Sequence, residues 1–127
     1  MKANFIIEDF SKALEQFSLA LKEPATSDLI RAGCIQYFEF CFELAWKAIK
    51  IIANEQGLME CTSPKSCFKQ AFKQHWIDDE QIWLDMLMAR NLMSQTYRAE
   101  KALKIYNSLT QYEKELHKLL TCLENQC

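Results

Sequence analysis

Glycine and proline are almost absent: Gly33, Gly57, Pro24 and Pro64 are all that the 127 residues contain. An antiparallel sheet draws on such residues at every tight turn, so a protein of many hairpins is excluded, whereas helices need few. The same scarcity excludes the glycine-rich phosphate loops of P-loop and dinucleotide-binding proteins, whose backbone must approach the phosphates closely. Histidine is equally scarce. His75 and His117 are isolated, and no Glu-x-x-His pair sets two ligands on one helix face, so neither a metal nor a cofactor is expected. Neither histidine completes a hydrolytic triad pattern, and both are read as functionally neutral surface imidazoles. Strong positive charge is lacking too. A formal net charge of −2 and a pI near 5.7 give no overall field toward nucleic acid or anionic lipid, so any RNA contact must be local.

Long apolar runs are missing as well. The opening MKANFIIEDF meets Glu8 and Asp9 too early to act as a secretory segment, and nothing later approaches a membrane span. A cytoplasmic protein without membrane association is expected. Six cysteines are present, at 34, 41, 61, 67, 122 and 127, but no C-x-x-C pair occurs. Cys34 and Cys41 lie roughly 10 Å apart along a helix, beyond the roughly 7 Å reach of a disulfide. All six are expected to be reduced, small core-filling residues.

What the chain does have is apolar periodicity at helical spacing. Half of its residues are apolar, enough for one sizeable core, and a single domain over residues 1–127 is expected. The first helix runs from about Asn4 to Lys22, with Phe5, Phe10, Leu14, Phe17 and Leu21 assigned to one face, and stops before Pro24. Ser27 or Asp28 caps a second helix that continues to Gln56, where Gly57 supplies a left-handed residue. Ser63 and Pro64 open a short third helix that ends near His75. Asp78, Asp79 and Glu80 suit the N-terminus of a fourth helix, which reaches about Gln95, and a fifth runs from Ala99 to Leu123. These elements describe an all-α, antiparallel four-helix bundle with one additional short helix.

The second helix is apolar over most of its circumference, with a narrow polar stripe of Gln36, Glu39, Glu43, Lys47, Lys50 and Asn54. A helix so widely apolar is buried on two sides, one within the bundle and one on a second subunit, so a homodimer is expected. The stripe itself reads either as a charge ladder at i, i+4 or as the wall of a polar cleft. The end of the fourth helix, RNLMSQTY, concentrates Arg90, Asn91, Ser94, Gln95 and Tyr97. Arg90 has two readings there: a partner for Asp85 or for the Glu39 and Glu43 stripe, or a ligand for phosphate, which arginine binds through paired N–H groups. Lys65, Lys69 and Lys73 form a basic stripe on the short helix, read as a solvated face.

The stretches DLIRAGCIQYFEFCFELAWKAIK, SPKSCFKQAF, IDDEQIWLDMLMARNLMSQTY and IYNSL resemble the nucleotidyltransferase substrate-binding-protein family of HEPN domains over roughly residues 5 to 120. The resemblance implies a HEPN-like helical bundle that dimerises, with a cleft near the dimer axis lined by an Arg-x4-His motif, and a minimal nucleotidyltransferase encoded beside it. In toxin–antitoxin members, it implies a metal-independent ribonuclease that the partner silences by transferring AMP to the tyrosine of Arg-x4-His-x-Tyr. Arg90, Asn91 and Tyr97 match that motif, while Gln95 stands where the histidine is expected. Glutamine cannot exchange a proton near neutral pH, so the resemblance implies a binding and substrate protein more than a strong ribonuclease. On this reading Arg90, Asn91 and Ser94 bind a nucleotide or RNA phosphate, Glu39, Glu43 and Asp85 position the arginine, and Tyr97 accepts AMP. The alternative is a ribonuclease toxin weakened or inactivated at Gln95.

Overall fold

The computed structural model describes residues 2–95 and 98–126, and all of its regular elements are helices. They are α1 (Lys2–Leu21), α2 (Asp28–Glu55), α3 (Pro64–Lys73), α4 (Glu80–Gln95) and α5 (Ala99–Glu124). Each boundary has a local cause. Ser27 accepts the Ile30 amide at 3.2 Å to cap α2. At the other end Gly57, at φ 72°, lets the Leu58 amide reach the Ala53 carbonyl at 2.9 Å and Gly57 reach Asn54 at 3.1 Å. Ser63 and Ser66 form a reciprocal capping box around Pro64 at the start of α3. The Asp79 carboxylate takes the Ile82 amide at 3.3 Å at the start of α4.

The long helix α2 is central, packing against both α1 and α5, which also meet each other; α3 bridges α2 and α4. Ala3, Ile7, Phe10, Leu14 and Phe17 of α1 enter the core with Phe38, Phe42, Ala45, Ile49 and Ile52 of α2 and Leu109, Leu116 and Leu123 of α5. Two sequence expectations change here. Phe5 is 70% exposed, because five residues turn a helix by about 140° from Phe10, and Ala3 and Ile7 take the inner positions. Cys61 and Cys67 are joined in a disulfide rather than reduced, their Cα atoms 5.1 Å apart. Cys61 lies not in a helix but in the loop that doubles back over the first turn of α3, which brings it within bonding reach. Cys34 and Cys41 are free and buried, and Cys122 is free and partly buried. No described helix is long and apolar enough to cross a membrane.

Candidate functional site

Arg90 stands on the flank of α4 that faces α2, and among the described residues Glu43, Asn91 and Phe42 meet its guanidinium. One N–H group donates to Glu43 of α2, and another donates to the side-chain oxygen of Asn91 at 3.1 Å. Its Cζ lies 5.5 Å from the centroid of the Phe42 ring, close enough for the cation to be attracted to the ring face. Glu43 in turn accepts the Trp46 indole N–H at 3.1 Å and lies 3.9 Å from the Lys47 ammonium. The side chains of Arg90 and Glu43 remain 29% and 33% exposed, so the pair sits at the surface edge of the core rather than inside it.

Glu39 lies one turn before Glu43 on the same stripe. Burial pushes its carboxyl above the usual carboxylate range; Arg90 opposes that rise and Glu43 adds to it. A carboxyl with a raised pKa binds its proton more readily in the folded chain. Its contribution to stability is therefore present below the unfolded pKa and is lost as pH rises through the folded one. Glu39→Gln is expected to raise Tm at neutral pH, and the gain is expected to vanish near pH 4. Partial exposure screens the effect, so its size should be about 1–2 °C. Thermal melts of both proteins across that range check it, and a lower Tm for the variant at neutral pH would contradict it.

Asp85 does not join this cluster. Five residues before Arg90, it is turned by about 140° around α4, where it accepts a hydrogen bond from Gln81 at 2.9 Å and acts electrostatically on Tyr112 of α5. Ser94 and Gln95 close α4, but their side chains, like Tyr97, lie outside the described residues. The structure thus brings together Glu39, Glu43, Arg90 and Asn91, and sets Asp85 apart. It adds Phe42 and Trp46, which sequence reasoning counted only as apolar covering of α2. The signal for Trp46 was its i, i+3 spacing from Glu43, which puts an indole donor over a carboxylate.

The two histidines stand elsewhere. His75 follows α3 at φ 63° as its left-handed terminal residue. The His117 Nε2 lies 3.0 Å from the Ser18 hydroxyl and 3.5 Å from Glu113. Hydroxyl and carboxylate meet the same ring nitrogen, so this group has no serine–histidine–acid relay. Among the described residues no cluster of three or more histidine, cysteine or acidic side chains could hold a metal ion. Lys65, Lys69 and Lys73 are exposed on α3.

A helical bundle whose central helix supplies a carboxylate to a ring-backed arginine on a neighbouring helix defines an all-α protein with a cluster of both charge signs at the edge of its core. The particular family follows from comparison. The chain belongs to the family described as "Nucleotidyltransferase substrate binding protein like", whose model matches residues 6–125. It is 29% identical over 96 residues to a Haemophilus influenzae protein named "Probable ribonuclease HepT", a match spanning 72% of this chain and 66% of that protein. A crystal structure of a Thermus thermophilus protein is similar at a TM-score of 0.83 and 28% identity, covering 90% of this chain and 98% of the other. A second Haemophilus influenzae structure, reported as revealing the fold of a substrate binding domain of a nucleotidyltransferase, is similar at a TM-score of 0.69 and 25% identity over 96% of both chains. The HEPN-like bundle expected from sequence is therefore the fold of this protein.

Proposed function

We propose that this protein is a cytoplasmic HEPN homodimer that serves as both binding partner and substrate of a minimal nucleotidyltransferase, in a pair of the toxin–antitoxin type. The observation that carries the reading is the braced guanidinium of Arg90, held by Glu43, Asn91 and the Phe42 ring seven residues before the candidate acceptor Tyr97. Family membership supports the nucleotidyltransferase as partner. In the proposed reaction the Tyr97 phenol oxygen attacks the α-phosphorus of ATP. A new O–P bond forms, the bond from that phosphorus to the bridging oxygen breaks, and pyrophosphate leaves. The phenol proton passes to a base of the nucleotidyltransferase or to solvent. Arg90 and Asn91 orient the phosphate, because a guanidinium offers N–H groups in a plane that matches phosphate oxygens.

The proposed dimer uses the outer face of α2. Leu29 is 82% exposed and Phe40 51% exposed; the two share one strip of the helix with Tyr37 and Leu44. A methyl group added at Gly33, on the same strip, would meet nothing within 4 Å, so a second helix can approach closely there.

The test mixes the purified protein with its genomic neighbour, ATP and magnesium, and reads the mass of the tryptic peptide that carries Tyr97. One added AMP unit is expected, absent in Tyr97→Phe; an adduct that persists in that variant overturns the reading. The relative named a probable ribonuclease favours a second reading, a metal-independent RNase weakened because Gln95 cannot relay a proton. RNA cleavage by the same preparation, abolished by Arg90→Ala, would support that reading instead.

A further inference from the structure

Between α4 and α5 lies an open groove of about 400 Å³, lined by Leu92, Lys101, Lys104, Ile105, Ser108 and Tyr112. It lies on the opposite flank of α4 from the Arg90–Glu43 pair, next to Tyr112, on which Asp85 acts. Three other surface concavities each carry carboxylates in their lining: Glu8 and Glu124 in one, Glu113 in the second, Asp78 and Glu115 in the third. Among its described lining residues the α4–α5 groove carries charge of one sign only, although the whole chain is acidic. Neither Lys101 nor Lys104 forms an ion pair with a described residue, whereas Lys118 is tied to Asp78 and Glu115.

The lining separates into three chemistries. Lys101 and Lys104 stand one turn apart at the rim, where two point charges suit the oxygens of one phosphate group. Leu92 and Ile105 form an apolar floor suited to the face of a base. The Ser108 hydroxyl, which donates to the Lys104 carbonyl at 3.4 Å, and the Tyr112 phenol offer two hydroxyls to a sugar or a base edge. Basic side chains beside a surface on which a base can lie are how single-stranded nucleic acid is held without sequence preference, and here Leu92 and Ile105 stand in place of an aromatic platform. Asp85, whose charge reaches Tyr112, is already bonded to Gln81 at 2.9 Å.

We infer that the α4–α5 groove is a nucleotide-binding site, with phosphate on Lys101 and Lys104 and base over Leu92 and Ile105. The nucleotide arrives either free or as one residue of a single-stranded RNA. The site does not depend on the transfer of AMP to Tyr97, and the two ideas fail separately.

Binding is measured by fluorescence anisotropy of the full chain with a labelled oligoadenylate, competed by AMP and by inorganic phosphate. The charge-reversal variant Lys101→Glu/Lys104→Glu is expected to lose at least tenfold in affinity. It is also expected to flatten the salt dependence by about 1.4 in log–log slope, the loss of two phosphate contacts on a single strand. Both lysines are outside the core, so its melting temperature should be unchanged. A charge-matched control on α3, Lys65→Glu/Lys69→Glu, should keep the groove's affinity for AMP, since both lysines are exposed and away from the groove. Oligoadenylate binding that AMP competes only weakly assigns the site to RNA, while AMP competing at equal strength assigns it to the free nucleotide. Three results would overturn the proposal: no binding of any probe at millimolar concentration, affinity unaffected by the charge reversal, or phosphate competing as well as AMP.

Discussion

Replacing Phe42 by alanine is expected to cost about 3–5 kcal/mol of folding stability, read as a lowered urea midpoint. The ring is fully buried, sits 6.1 Å from Phe38 and 5.5 Å from Phe68 in an edge-on contact, and has the Arg90 guanidinium over it. Removing it opens a cavity where α2, α3 and α4 converge. Domains of this kind are stable by only about 5–15 kcal/mol, so the loss would bring the protein close to unfolding. Phe42→Leu separates packing from function. It leaves a smaller cavity than alanine does and should cost clearly less, yet it removes the aromatic face under Arg90, worth roughly 0.5–2 kcal/mol to the cation. The leucine variant should therefore fold but hold Arg90 less firmly, with weaker binding of the nucleotidyltransferase. An alanine variant with the parent's midpoint would show that Phe42 is not a keystone of the core.

Phe40→Glu is expected to turn the proposed dimer into a monomer. Phe40 packs edge-on against Tyr37 with ring centroids 6.3 Å apart, on the exposed strip of α2. A twofold interface contains every residue twice, so one substitution places two carboxylates in an apolar contact, each losing its water without gaining a partner. A dissociation constant at least about 100-fold weaker corresponds to about 2.7 kcal/mol. Sedimentation across a concentration series reads it directly. Phe40 already faces solvent within one chain, so the melting temperature of the monomer should change little. A parent that sediments as a monomer, or a variant that stays dimeric, would place the interface elsewhere or nowhere.

The legibility of this protein from sequence follows the range of the interactions involved. Ser27, Gly57 and the Ser63–Pro64 pair marked helix ends within a residue or two, because caps act on amides three or four positions away. The acidic start of α4 was legible, but the division of labour was not. Asp79 caps the helix, while Asp78 reaches across to Lys118 of α5 at 3.1 Å. Arg90 was identified as a site residue that pairs either with Asp85 or with the Glu39 and Glu43 stripe, and only the packing of α4 on α2 decided for the stripe, through Glu43. The Cys61–Cys67 bond was missed because a loop, unlike a helix, sets no fixed distance between two residues six apart.

By itself the sequence determined that this chain is a bundle of five helices, where they begin and end, and that α2 is apolar well beyond one face. Those are consequences of bonds and spacings within a single turn of backbone. Which carboxylate holds Arg90, that Phe42 lies beneath it, and that Lys101 and Lys104 line the groove between α4 and α5 were decided by the tertiary structure. Each depends on the rotation of one helix about its axis relative to another, which is settled only when the whole core packs.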